Sequence, residues 1–233
     1  MPGIKYFPQN LNLENKIIIL RVDFNVPITE KKILDSTRIT LTIPFLNELI
    51  KKKSKIIIIS HLGRPNGLRD KALSLLPIYK YLKEKLNTNM YFYAGEINSE
   101  LKDKCSYLKN SEILLIENIR FFKEETDNEE SFSEKLGQLA DIYINDAFSC
   151  SHRKQASIHG ITKFVKEVYA GPLLKKEVTA IDLVIKNKKK PVTCIVGGSK
   201  ISTKISVISS LIKNASNIVI VGAMANSFLA FNS

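Results

Sequence analysis

Short apolar runs recur along the chain, each followed by polar residues and then by a segment of helical period. The runs cover residues 17–20, 56–59, 113–116, 142–144, 192–196 and 218–221. They are mostly β-branched and continuous rather than alternating, the pattern of strands buried on both faces. Between them, Ile39, Ile43, Leu46 and Ile50 share one helical face, with Pro44 expected at a first turn or a kink. Leu75, Tyr79, Leu82 and Leu86 form a second stripe, and Leu174, Val178, Ile181 and Ile185 a third. Strands alternating with helices predict parallel βαβ units, hence an α/β fold with a doubly wound, Rossmann-like parallel sheet.

Gly171-Pro172 punctuates the chain ahead of the third stripe, and the strand–loop–helix order then begins afresh. The expected organisation is a first domain over 1–170, an interdomain helix over 171–188 and a second α/β domain starting at 189. That second domain reaches only two strands by Ser233. Two strands and two helices do not cover a parallel sheet, so either another chain completes it or the sequence is cut short. The latter is the simpler expectation.

Composition narrows the class. A length of 233 residues suits one large or two modest domains, and 44% hydrophobic with 25% charged residues exclude disorder as the default. No apolar run approaches the roughly 20 residues that span a bilayer. Residues 1–5 lack the pattern of a signal peptide. Cys105, Cys150 and Cys194 are odd in number and far apart, which fits reduced thiols in a cytoplasmic protein better than a disulfide frame or a zinc site. Lys+Arg total 35 and Asp+Glu 23, a net charge of 35 − 23 = +12. Such a charge suits nucleic acid, a membrane surface or an anionic metabolite. Lysine runs such as Lys51-Lys52-Lys53 and Lys188-Lys189-Lys190 stand on an Ile- and Asn-rich background, where biased codon composition explains them without a ligand. The sequence shows no stripe of aromatics interleaved with basic residues, which counts against a single-strand nucleic-acid binder.

The arginines are placed more informatively. Ligands of open parallel sheets bind beyond the carboxyl ends of the strands. Arg21, Asp23 and Asn25 follow the first run at a spacing of two, on one face of the strand end. The second run is followed by Ser60-His61-Leu62-Gly63-Arg64-Pro65, the third by Glu117-Asn118-Ile119-Arg120, and the fourth by Asn145-Asp146-Ala147-Phe148 and then His152-Arg153. Arg38 lies in the first connection. A single Arg in such a place is ordinarily a solvated loop residue, and His159 earns no more than a structural role. Five placements at one sheet edge instead point to a small, multiply charged anion, because the guanidinium fork suits carboxylate and phosphate. No Ser, Cys or Lys occupies a nucleophile motif such as G-x-S-x-G, and the two-residue offset of Cys150 from His152 is weak support for a dyad. After the fifth run, Gly197-Gly198-Ser199-Lys200 and Lys204 open a helix. Paired glycines there let backbone N–H groups face an anion, making the loop a candidate for nucleotide phosphates. Neither a Walker A loop nor G-x-G-x-x-G occurs.

Taken together, Arg21-Val22-Asp23-Phe24-Asn25-Val26-Pro27, Ser60 to Pro65, Glu117-Asn118-Ile119-Arg120-Phe121, Asn145 to Phe148, Ala170-Gly171-Pro172-Leu173-Leu174, the Gly197 to Lys204 loop and Val221-Gly222-Ala223-Met224-Ala225-Asn226 resemble phosphoglycerate kinase signatures, in that family's order and over essentially the whole chain. The resemblance implies reversible transfer of the acyl phosphate of 1,3-bisphosphoglycerate to ADP, giving 3-phosphoglycerate and ATP. It implies that Asp23, Asn25, Arg38, His61, Arg64, Arg120 and Arg153 bind the phosphoglycerate, with Arg21, Phe24, Leu62 and Gly63 of the same motifs. Arg38 would also neutralise the phosphoryl group in flight, and Lys204 would be the nucleotide-phosphate lysine, so these two are the expected catalytic residues. Gly197, Gly198, Lys200 and Gly222 would shape the nucleotide loop. The implied cofactor is Mg-ATP or Mg-ADP, with no metal ligand assigned in this chain, and the implied state is a cytoplasmic monomer binding neither nucleic acid nor membrane. Ser149-Cys150-Ser151 departs from the Gly-Thr-Ala often found before the His-Arg pair. The alternative expectation is a catalytically incompetent fragment that only binds 3-phosphoglycerate.

Overall fold

A computed structural model describes residues 3–186, 190–198 and 201–231, except for the side chains of 184–186 and 203. The chain divides into two compact units, Met1–Glu177 and Val178–Ser233. The division falls inside the segment read from sequence as an interdomain helix.

The first unit is built on six parallel strands: β1 (Ile17–Arg21), β4 (Lys55–Ile59), β5 (Met90–Tyr93), β6 (Ile113–Ile116), β7 (Ile142–Asn145) and β8 (Glu167–Ala170). Their order across the sheet is β5-β6-β4-β1-β7-β8. A small antiparallel hairpin, β2 (Ile28–Thr29) and β3 (Lys32–Ile33), interrupts the first connection. Helices α1 (Thr37–Lys51), α2 (Leu76–Lys85), α3 (Ser99–Tyr107), α4 (Lys123–Asp127) and α5 (Glu130–Gly137) complete the unit up to α6 (Pro172–Lys186), within which the division falls.

The isoleucine runs form strands because each can bury both faces. Alternate residues feed two separate cores. Ile18, Leu20, Ile56, Ile58, Ile113, Leu115, Ile142 and Ile144 pack on one side with Ile39, Phe45, Leu46 and Leu49 of α1 and Ile78 and Leu82 of α2. Ile19, Ile57, Ile59, Leu114, Ile116 and Tyr143 pack on the other with Leu101 and Cys105 of α3 and Phe132 and Leu136 of α5. Helices on both faces make the sheet doubly wound, as the sequence pattern predicts. Pro44 sits well inside α1, which continues past it to Lys51. The edge strand β8 is covered by the incoming chain, where Phe7 N–H donates to Ala170 O and Ala170 N–H to Lys5 O. That pairing removes one open edge.

β1 and β7 are neighbours whose outgoing connections run in opposite directions, from β1 to β4 and from β7 to β8. This reversal opens a crevice beyond the carboxyl ends of β1 and β7, where ligands of such sheets settle.

In the second unit, β9 (Thr193–Gly197) pairs in parallel with β10 (Asn217–Val221), accompanied by α7 (Ile205–Ile212) and α8 (Met224–Phe231). Val196 and Met224 are buried there, while Ile195 is 71% exposed. No helix among the described residues is long and apolar enough to cross a membrane.

The two-core arrangement makes a quantitative expectation. Ile57→Ala, at a fully buried strand centre, should lower unfolding free energy by about 2–5 kcal/mol in urea titrations. Leu34→Ala, at a position 66% exposed, should cost less than about 0.5 kcal/mol. Equal losses would contradict the packing described.

Candidate functional site

Past β1 the chain keeps its alternation. Val22, Phe24 and Val26 turn into the core, while Asp23 and Asn25 face outward. Phe24 thus places its ring among apolar residues, and its N–H donates to Ser60 Oγ at 2.9 Å. Arg21 shares the parity of Asp23 yet is fully buried. Its Nε donates to Ser157 Oγ at 2.9 Å, one terminal nitrogen donates to Val22 O, and the other lies 3.3 Å from His61 Nδ1. Ser157 in turn donates through Oγ and N, each at 2.7 Å, to the two carboxylate oxygens of Glu125.

The loop after β4 is held by Asn118, which follows β6 by two residues. Its Nδ2 donates to Leu62 O at 2.7 Å and Leu73 O at 2.9 Å, and its Oδ1 accepts from the N–H groups of Leu62 and Arg120. Leu62 is buried by this clamp. Gly63, at φ +62°, donates its N–H to Asn25 Oδ1 at 2.9 Å and accepts from Arg120 through its carbonyl at 2.7 Å. A β-carbon at Gly63 would meet Leu73 Cδ2 at 2.7 Å, so both conformation and space favour glycine.

Two cavities flank this loop. One, of about 370 Å³, is lined by Arg64, Arg120 and Arg153 with Asn66, Thr126 and Gln155. The side chain of Arg120 is buried, and its Nε has no hydrogen-bond partner. Burial, followed by the charge of Arg153, draws its pKa down to about 10, so it stays cationic near neutrality. The other cavity, of about 260 Å³, includes Asp23, Arg38, Asp146 and Ser149. There Asp23 Oδ2 accepts from Arg38 at 2.6 Å and from the Ser149 hydroxyl. Asp146 Oδ1 accepts from Leu174 N–H at the start of α6, and burial raises Asp146 to about 6.

His61 is buried against these groups. Loss of water, then the positive charges of Arg21, Arg120, Arg153 and Arg38, push its pKa down from 6.5 to about 2. The imidazole is therefore neutral throughout the physiological range. Cys150 lies beside it, with Sγ 3.8 Å from Nδ1, rather than forming a dyad with the exposed His152. Asp23, His61 and Cys150 each bring one potential metal-ligand atom within 4.8 Å of the others. Asp23 is already engaged by Arg38, and His61 faces Arg21, so the field at this cluster favours an anion over a cation.

In the second unit, Gly197 ends β9 opposite Val221, and a β-carbon on it would meet Val221 Cγ2 at 2.8 Å. Gly222, at φ +73°, lies against the backbone of Gly198, whose carbonyl accepts from Met224 N–H at 3.0 Å. Lys204 is exposed at the N-cap of α7. Lys200 lies outside the described residues.

The first unit therefore brings together Arg21, Asp23, Asn25, Arg38, His61, Gly63, Arg64, Arg120 and Arg153 at one sheet edge, while Phe24 and Leu62 support it from the core. Glu125, Ser157, Thr126 and Gln155 also take part and carry no signal in the sequence, and Ser149, noted there only as a departure from the family pattern, joins them. Glu125 sits in the acidic run Glu124-Glu125-Thr126-Asp127, which reads as a solvated face.

Fold and site define a doubly wound α/β protein with an arginine-lined pocket at the carboxyl edge of its sheet. The family model for phosphoglycerate kinase matches residues 9–233, and the chain belongs to that family. It is 45% identical over 224 residues to a phosphoglycerate kinase of Wolbachia pipientis wMel, covering 96% of this chain and 56% of that protein. It is 43% identical to that of Buchnera aphidicola subsp. Acyrthosiphon pisum, with 95% and 56% covered. The solved phosphoglycerate kinase of Coxiella burnetii matches with a TM-score of 0.83 at 37% identity, covering 95% of this chain and 55% of that one. The Pyrococcus horikoshii OT3 enzyme matches at 0.86 and 27%, covering 98% and 58%. The chain thus spans little more than half the length of these relatives.

The depressed pKa of His61 has a thermodynamic consequence. The unfolded chain takes up this proton more readily, so the stability from a neutral His61 is complete above pH 6.5 and is lost as pH falls from there toward about 2. At pH 5 the loss should reach about 2 kcal/mol relative to pH 8. Asp146, raised on folding, acts in the opposite sense between its ordinary value of 3.8 and about 6. Comparison with His61→Gln isolates the histidine. In urea unfolding the variant should lose about 2 kcal/mol less than wild type over this pH span, and parallel losses would contradict the assignment.

Proposed function

We propose that the first unit binds 3-phosphoglycerate and 1,3-bisphosphoglycerate, and that the activity is phosphoglycerate kinase. The acyl phosphate of 1,3-bisphosphoglycerate passes reversibly to Mg-ADP, yielding 3-phosphoglycerate and Mg-ATP, a glycolytic step in a cytoplasmic monomer. The observation that carries this reading is the cavity where Arg64, Arg120 and Arg153 converge while the buried Arg120 Nε has no acceptor. A phosphate group offers the oxygens those donors require.

Asp23, Asn25, Arg38 and His61 would hold the glycerate body beside it. Transfer through a loose, metaphosphate-like transition state needs in-line positioning and spread positive charge, and no protein nucleophile. Arg38 is half-exposed on α1, with one terminal nitrogen on Asp23 and the carbonyl of Asn25, which leaves its other donors for a phosphoryl group. On the nucleotide side, Gly197, Gly198 and Gly222 would form a backbone cradle, with a β-carbon on Gly197 meeting Val221 Cγ2 at 2.8 Å and Gly222 at φ +73°. That cradle fits nucleotide phosphates, with Lys204 and Lys200 supplying charge. The magnesium ion that accompanies the nucleotide neutralises part of its phosphate charge when bound.

A second reading, a chain that binds 3-phosphoglycerate without turnover, is favoured by the two-stranded sheet of the second unit, which leaves Ile195, Val219 and Val221 exposed.

Calorimetric titration with 3-phosphoglycerate tests the binding reading. Arg64→Ala and Arg153→Ala should each weaken binding by roughly tenfold or more, the worth of a charge-assisted hydrogen bond. A wild-type chain that shows no binding, or variants that bind as wild type does, would overturn it. Coupled ATP consumption dependent on 3-phosphoglycerate, measured against Arg38→Ala, separates the kinase from the binder.

A further inference from the structure

Glu125 is fully buried in the middle of α4, five residues past Arg120, and both of its carboxylate oxygens are committed to one residue. Oε1 accepts the Ser157 hydroxyl and Oε2 accepts the Ser157 N–H, each at 2.7 Å, while Ala156 N–H donates to the Glu125 carbonyl at 2.9 Å. A hydroxyl carries one proton. Once it is given to Glu125, the Ser157 lone pairs are left facing Arg21, whose Nε donates to Oγ at 2.9 Å. The guanidinium is thereby held with a terminal nitrogen 3.3 Å from His61 Nδ1.

Arginine has donors only, so the facing imidazole nitrogen must be the acceptor. An imidazolium would set N–H against N–H here. A neutral ring accepting at Nδ1 carries its proton on Nε2, which can donate and has Cys150 Sγ 3.9 Å away. We infer that Glu125 is a positioning residue for the anion site, setting the tautomer and orientation of His61 through Ser157 and Arg21 so that Nε2–H is a hydrogen-bond donor. Glu125 touches no ligand in this arrangement. It acts across 64 positions of sequence, through a serine hydroxyl that can hold its orientation only while a carboxylate takes its proton.

The consequence for affinity rests on the phosphoglycerate reading, whereas the tautomer does not, and the experiment reads both. Long-range proton–nitrogen NMR on the chain with labelled histidine, at pH 7, should show His61 protonated on Nε2 and unprotonated on Nδ1. Ser157→Ala keeps the backbone bond to Glu125 but removes the hydroxyl link. It should release His61 into a mixture of tautomers and weaken 3-phosphoglycerate roughly tenfold. In a His61→Ala background the same serine substitution should no longer change affinity, whereas a general loosening of the fold would still lower it. A wild-type ring protonated on Nδ1 overturns the inference, and so does an unchanged tautomer in Ser157→Ala. Absence of 3-phosphoglycerate binding by wild type overturns the ligand reading and leaves the tautomer result to decide the positioning claim.

Discussion

A guanidinium withdrawn from water is tolerable only if its donors are met and its charge is answered, and Arg21 is fully buried. Three groups meet it: the Ser157 hydroxyl, the Val22 carbonyl and the His61 ring. The answering charge is Glu125, itself buried, whose pKa is raised by loss of water and drawn back by Arg21 and Ser157. Each partner belongs to a different stretch of chain, at the end of β1, after β4, in α4 and in the loop before β8. Removing one would leave another charge or donor stranded in the interior, so the cluster constrains all four at once. Tyr143 at the centre of β7 joins it by donating its hydroxyl to Ser157 O at 2.7 Å.

From that anchor the chemistry of the surface follows. Glu125 answers the charge of Arg21 and Asp23 that of Arg38, so Arg64, Arg120 and Arg153 are left to impose a positive field on the pocket between them. Burial, then the charges of Arg21 and its fellow arginines, keep His61 neutral, which removes it as a cation and leaves it as a directional donor. Asn118 then fixes where Arg120 and the loop 61–64 stand, through four hydrogen bonds from one side chain. A pocket with spread positive charge and rigid donors is suited to holding an anion in a set orientation.

Much of the scaffold was legible in sequence because continuous apolar runs mark parallel strands: six such runs became strands, four of them buried on both faces of the main sheet. Four other strands were not legible: the two-residue β2 and β3 of the hairpin, and the two edge strands of the main sheet. Met90–Tyr93 is aromatic rather than β-branched and lies at the sheet edge with Tyr91 exposed, while Glu167–Ala170 is half polar and owes its place to the pairing of residues 5–7. The convergence of His61, Arg64, Arg120 and Arg153 was legible for a topological reason, since each follows a parallel strand and all the carboxyl ends lie along one edge of the sheet. Glu125 and Ser157 were not, because a buried carboxylate in an acidic run differs from a solvated one only by what packs on it from 32 residues away. Phe24 shows the complementary limit. Its motif marks a binding stretch, but strand parity sends its ring into the core and leaves only its neighbours facing outward.

The claim at the centre of this account is that the partnerless buried donor of Arg120 exists to meet an anion. A crystal structure of the chain with 3-phosphoglycerate tests it most directly. The account predicts phosphate oxygens at about 2.7–2.9 Å from Arg120 Nε, with Arg64 and Arg153 closing on the same group. A ligand ordered elsewhere, with Arg120 Nε still lacking an acceptor, would contradict it.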